Sequence, residues 1–164
     1  MRISELPFPQ PLIGLCTCAS PLGEAIKAAT HGPVEHALWL QSDGVTVCEA
    51  FYPKVHQRAI TEADKACTLL FALDGMTPDI AAKFERFFVI STDPKLVESY
   101  SIEGLFGFLF NIDPPTEQAV FCSEFVMQSI RKNAPELLPL ARCEDYQASP
   151  SDLYRSTRLV PVGW

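Results

Sequence analysis

Residues 115 to 133 read Pro-Thr-Glu-Gln-Ala-Val-Phe-Cys-Ser-Glu-Phe-Val-Met-Gln-Ser-Ile-Arg-Lys-Asn, and the rest of the chain is read outward from them. From Cys122 onward, Phe125, Val126, Ser129 and Ile130 recur at helical spacing. This predicts a helix with one apolar stripe against a core, and Asn133 and Pro135 supply its stop signals. Cys122 opens that helix. There it lies beside backbone N–H groups without intrahelical partners and at the positive end of the helix dipole, both of which favour the thiolate. Glu124 in the same turn suits the dipole, but its charge would raise the thiol pKa, so its role is read as structural. A lone cysteine at a helix start is more often a half-buried structural one. A catalytic reading therefore requires a base elsewhere in the chain.

The early part of the chain offers one. Val34 to Gln41 and Thr46 to Phe51 flank Ser42-Asp43-Gly44, and the Asp-Gly pair is a strong hairpin signal. Alternation places His36, Leu38 and Leu40 on one face of the first strand and Ala37 and Trp39 on the other. Val45, Val47 and Glu49 share a face of the second. His36 and Glu49 sit about equally far from the turn, near cross-strand positions, which brings a carboxylate within reach of an imidazole. His31, next to Gly32-Pro33, reads as a loop residue, His56 as partly exposed, and Glu35 as solvent-facing.

Further elements follow from local pattern. Leu12 to Leu15 reads as a short buried strand. Pro21 to Thr30 reads as a helix capped by Ser20, with Leu22, Ala25, Ile26 and Ala29 on one face. Val55 to Ile60 and Cys67 to Leu73 read as strands, giving a mainly antiparallel sheet of consecutive hairpins. Pro78 to Val89 reads as an amphipathic helix capped by Thr77. Gly104 to Phe110 is apolar and fits either a helix or a buried strand. Ser149-Pro150-Ser151-Asp152-Leu153 reads as a capped helical turn.

Composition bounds what such a chain does. At 164 residues it is read as one domain, 1–164, able to bury a core without metal or disulfides. A net charge of −7 without a Lys/Arg cluster disfavours nucleic-acid binding and attraction to anionic lipid surfaces. No stretch approaches the roughly 20 apolar residues of a membrane helix, and the first 25 residues lack the pattern of a signal peptide. The expectation is a soluble, cytoplasmic protein, with a phage-encoded or non-classically exported one as the exception. Six cysteines at 16, 18, 48, 67, 122 and 143 show no small-scaffold spacing and are expected to be free thiols. The Cys16-x-Cys18 pair has no second pair or histidine spacing, so no metal site is expected.

The order of these pieces resembles the permuted papain-like hydrolases of the NlpC type, which include the YiiX and YebB-like bacterial proteins and lecithin retinol acyltransferase. The matching segments are Glu35-His36-Ala37-Leu38-Trp39-Leu40, Val47-Cys48-Glu49-Ala50, Phe121-Cys122-Ser123-Glu124-Phe125-Val126 and Ser149-Pro150-Ser151-Asp152-Leu153. In that group the histidine strand precedes the cysteine helix, the reverse of ordinary papain-like chains. The resemblance implies an α+β fold with an antiparallel sheet packed against helices. It also implies Cys122 as nucleophile, His36 as general base and acid, Glu49 as the third polar group and Tyr100 as a second oxyanion partner. The chemistry implied is hydrolysis of an amide bond in a peptide, isopeptide or cell-wall peptide through a thioester, without a cofactor. Two alternatives stay open: a non-catalytic peptide- or lipid-binding domain of the same fold, and an acyltransferase or lipid hydrolase acting on acyl lipids.

Overall fold

One strand near the N-terminus organises the sheet. β1 (Leu12–Cys16) is buried along its length and pairs antiparallel on both sides, with β2 (His36–Leu40) and with β5 (Thr68–Leu73). From β2 the sheet continues as antiparallel hairpins through β3 (Thr46–Phe51) and β4 (Lys54–Ala59), and β8 (Leu159–Val162) pairs beyond β5. Two short strands, β6 (Ser99–Tyr100) and β7 (Ala119–Val120), pair parallel with each other and complete the order β7-β6-β4-β3-β2-β1-β5-β8. The structure is a computed structural model and describes residues 1–17, 21–51, 53–93, 95, 99–100, 119–140 and 144–164. The Ser20 cap and the apolar 104–110 segment lie outside the described residues.

The helices are α1 (Pro21–Thr30), α2 (Glu62–Cys67), α3 (Pro78–Ser91), α4 (Cys122–Asn133) and α5 (Pro150–Tyr154) among the described residues. Strand alternation divides the core between two faces. Ile13, Leu15, Ala37, Trp39, Cys48 and Ala50 pack with Phe84, Phe88, Phe125, Val126 and Ile130 from α3 and α4. Leu12, Cys16, Leu38, Leu40, Val47 and Leu70 form the second cluster, covered by Ile3, Leu6 and Ile60. Phe125, Val126 and Ile130 are all but inaccessible, and burying each such side chain is worth about 1.5–3 kcal/mol. The stripe read from the sequence thus holds α4 on the sheet.

Polar contacts fix where along the sheet α4 rests. Trp39 Nε1 donates to Ser129 Oγ at 2.8 Å, and Ser129 Oγ donates to the Val126 carbonyl at 2.7 Å, all of it buried. Ser123 Oγ donates to the Ala148 carbonyl at 2.6 Å just before α5. The α5 turn is closed by its own box: Asp152 N–H donates to Ser149 Oγ, and Ser149 N–H donates to Asp152 Oδ2, each at 3.0 Å. The mouth of α4 is therefore held by β2 on one side and α5 on the other.

Several readings are corrected. The succession of hairpins stops at β4, because α2 intervenes and β5 crosses to pair with β1. Glu35 is 7% exposed and so buried, not solvent-facing. Cys67 is disulfide-bonded, whereas Cys16, Cys48 and Cys122 are free. Pairing depends on Cα separation in space, which scattered sequence positions do not report.

Candidate active site

β7 runs directly into α4. Phe121 is extended at φ −104° and ψ 175° and lacks a side-chain acceptor, so the cap depends on Glu124, whose Oε2 accepts the Phe121 N–H at 3.3 Å. Phe121 is 2% exposed and pins the turn from below. Cys122 is consequently the first helical residue, where the helix dipole favours an anion.

The Cys122 sulfur meets β2 at its first residues. It lies beside the His36 imidazole and the backbone N–H groups of Ala37 and Ser123, each of which lowers its pKa. His36 Nε2 is 2.7 Å from Glu49 Oε2, which leaves Nδ1 as the nitrogen for the sulfur. Extending the observed β2–β3 pairing, Trp39 with Cys48 and Leu40 with Val47, puts Leu38 opposite Glu49 and Phe51 opposite His36. The His36–Glu49 contact is thus diagonal across the strands, within reach of a long side chain. Phe51 sets its ring edge-on to the imidazole, with centroids 5.6 Å apart and planes at 87°.

The charges follow from these contacts. Burial pushes the Cys122 thiol up, but the adjacent imidazolium, its hydrogen bond and the two backbone N–H donors outweigh it and hold the pKa below the ordinary 9.0. Burial works against a charged His36, yet the thiolate, its hydrogen bond and the Glu49 carboxylate raise its pKa well above 6.5. Burial also opposes the Glu49 carboxylate, and the His36 and Arg58 contacts overcome it, lowering its pKa from 4.5. The arrangement favours a thiolate–imidazolium pair backed by a carboxylate.

Three of the residues singled out in the sequence, Cys122, His36 and Glu49, are therefore brought together. Tyr100 is placed only by its backbone, which pairs with Val120 two residues before Cys122. Its side chain lies outside the described residues. His31 caps α1 with a positive φ of 49° and is exposed. His56 pairs with Glu49 across β3–β4, with its Nε2 3.6 Å from Glu49 Oε1. Sequence reasoning missed Arg58, whose Nε donates to Glu49 Oε1 at 2.6 Å, and Cys16, which stands opposite His36 on β1 with its thiol 3.4 Å from Thr68 Oγ1. Burial raises the Cys16 pKa, which favours its neutral thiol. The signal for Arg58 was present in the β3–β4 alternation, which puts residues 47, 49, 56 and 58 on one face.

The fold and the site define a mixed α/β chain with an antiparallel sheet and a cysteine–histidine pair at a helix mouth. No family model and no curated protein matches the sequence. Among solved structures, the chain is similar to the metalloprotein YiiX from Escherichia coli O157:H7, with a TM-score of 0.68 and 15% identity. The match covers 96% of this chain and 98% of that one, and the likeness is one of fold. No group of three or more His, Cys, Asp and Glu side chains is placed to hold a metal ion among the described residues. At Glu49 the Arg58 guanidinium already occupies one carboxylate oxygen and opposes a cation there. No helix among the described residues is long and apolar enough to cross a membrane.

Proposed function

We propose that the chain is a cysteine hydrolase of the permuted papain-like, NlpC type that cleaves an amide bond in a peptide, isopeptide or cell-wall peptide. The observation that carries this reading is the contact of Cys122 with an imidazole whose other nitrogen is held by Glu49. The Cys122 thiolate attacks the carbonyl carbon. The resulting oxyanion is met by the Cys122 N–H at the helix mouth. His36 gives its proton to the departing nitrogen as the C–N bond breaks, leaving a thioester on Cys122. Water, deprotonated by the now neutral His36, attacks the thioester, the acid leaves, and the proton on His36 restores the thiolate–imidazolium pair. Glu49 keeps the imidazole in the tautomer and orientation that both halves need.

A second reading rests on Phe51. It is 55% exposed and borders the imidazole, so it offers apolar surface to an acyl chain and favours a lipid hydrolase or acyltransferase working through the same thioester.

Intact-mass spectrometry of wild type and Cys122→Ala, acid-quenched after exposure to a panel of peptide amides and acyl lipids, tests both readings. A hydroxylamine-labile acyl adduct on wild type alone supports a thioester enzyme. Amides among the donors place it with the hydrolases, and esters alone with the lipid enzymes. Absence of any adduct or turnover across the panel would leave a binding domain and overturn the proposal.

A further inference from the structure

Behind the imidazole, charges alternate across the sheet. Glu49 Oε2 meets His36 Nε2 at 2.7 Å and Oε1 accepts Arg58 Nε at 2.6 Å. Arg58 then reaches Asp64 through Nη1 at 2.6 Å and Nη2 at 3.2 Å. Asp64 Oδ2 is itself fixed by the Thr61 N–H at 2.8 Å and the Thr61 hydroxyl at 2.7 Å, in the box that opens α2. A line of hydrogen-bonded charges thus runs from the imidazole beside the sulfur, along one face of the sheet, to a helix cap.

We propose that Arg58 is a positioning residue for His36 that acts through Glu49, with Asp64 fixing Arg58 in turn. The Glu49 side chain is 3% exposed, and a carboxylate so buried is tolerable only when paired. Arg58 offers a rigid fork: Nε takes one carboxylate oxygen while the two Nη atoms are spent on Asp64, so Glu49 is turned with its other oxygen toward His36. His56 from the same strand is the competitor, 3.6 Å from the oxygen that Arg58 holds. With Arg58 gone, that carboxylate is free to swing toward His56 and release the catalytic imidazole. The charged and titratable groups that face Glu49 are His36 from β2, His56 and Arg58 from β4, and the Cys16 thiol from β1, with Asp64 from α2 behind Arg58.

Only the consequence for turnover rests on the hydrolase reading; the positioning itself is read at the sulfur. The experiment follows iodoacetamide alkylation of Cys122 by peptide mass spectrometry from pH 5 to 10 in wild type, Arg58→Gln, Arg58→Lys, Asp64→Asn, Glu49→Gln and the Arg58→Gln/Glu49→Gln double variant. Arg58→Gln is expected to slow alkylation at pH 6 by about fourfold, the loss of one charged hydrogen bond offset in part by the higher reactivity of the more basic thiolate. Arg58→Lys slows it less, because the positive charge beside Glu49 is kept, but does not restore the wild-type rate, since a point charge cannot hold two carboxylates at once. The double variant is expected to be no slower than Glu49→Gln, since Arg58 has nothing to act through once the carboxylate is gone. Multiplying effects of the two single changes, or an Arg58→Gln rate within about twofold of wild type beside a lowered Tm, would overturn the proposal and leave Arg58 a structural tie. If Arg58→Gln does not fold, Arg58→Lys and Asp64→Asn in the Glu49→Gln background give the same comparison. Failure of every substrate in the thioester assay would leave this alkylation result untouched, so the two proposals fail separately.

Discussion

Replacing His36 with Ala isolates what the imidazole does for the sulfur. In wild type the hydrogen-bonded imidazolium outweighs burial and keeps Cys122 below the ordinary thiol value of 9.0. In His36→Ala burial remains, and the Ala37 and Ser123 N–H groups alone oppose it, so the midpoint of alkylation moves upward. A charge-assisted hydrogen bond is worth about 1.5–3 kcal/mol, and its loss cuts the thiolate population at pH 6 by about 10- to 150-fold. The remaining thiolate is the more basic one and reacts faster, with a Brønsted slope of about 0.4–0.5 that returns nearly half of the loss on a logarithmic scale. The net expectation is alkylation of Cys122 by iodoacetamide about 4- to 16-fold slower at pH 6. The difference shrinks as pH rises and the His36→Ala sulfur ionises in its turn. Peptide mass spectrometry keeps Cys122 apart from Cys16 and from Cys48, whose thiol burial pushes up to about 12. Equal rates at pH 6, with the same midpoint in the two proteins, would refute the thiolate–imidazolium pair outright.

Other consequences are structural. Ser129→Ala leaves the fully buried Trp39 indole N–H without its acceptor, at a cost of about 1–3 kcal/mol. Calorimetry is expected to show Tm lower by ~2–4 °C for each kcal/mol lost, and an unchanged Tm would discount the bond. Gly14→Ala introduces a Cβ 2.5 Å from Leu38 Cδ1 and 2.9 Å from Thr68 Cγ2. Urea titration should show a loss of about 1–3 kcal/mol from overpacking. Adding Leu38→Ala should then cost less than the two single changes predict, and strict additivity would place the clash elsewhere. Glu49, with its pKa lowered from 4.5, contributes stability that is present above pH 4.5 and lost as pH falls through its folded value. His36, raised above 6.5, contributes stability that is full below pH 6.5 and lost as pH rises through its folded value. Glu49→Gln should therefore flatten the acid side of the stability profile and bring the His36 loss to lower pH, and a profile unchanged on both sides in denaturant titrations would contradict the site's charge assignment.

What was legible in the chain follows the range of each force. α4 begins at Cys122 and ends at Asn133, as its apolar period and stop residues indicate, because that pattern is the packing itself. The hairpin turn is equally local: Gly44 takes the positive φ of 72°, and Asp43 Oδ1 accepts the Val45 and Thr46 N–H groups. Alternation alone then put His36 and Glu49 on one face, and only their diagonal offset awaited the pairing of Gln41 with Thr46. α2 was written as Thr61-Glu62-Ala63-Asp64, a capping box, but it contains no buried residue and so gives no apolar period to notice. The meeting of Cys122 with His36 has no local signature, since it depends on how α4 is set on the sheet by Trp39, Ser129 and Ser123. Arg58 is harder still. A cation on a half-exposed strand has the composition of a solvated face, and it becomes part of the site only because β3 and β4 pair Glu49 with His56, carrying the guanidinium to the back of the same carboxylate. Charges that act through a buried neighbour are thus the part of a site that pattern reading loses first, because the neighbour's burial, which gives them their effect, is itself a product of the fold.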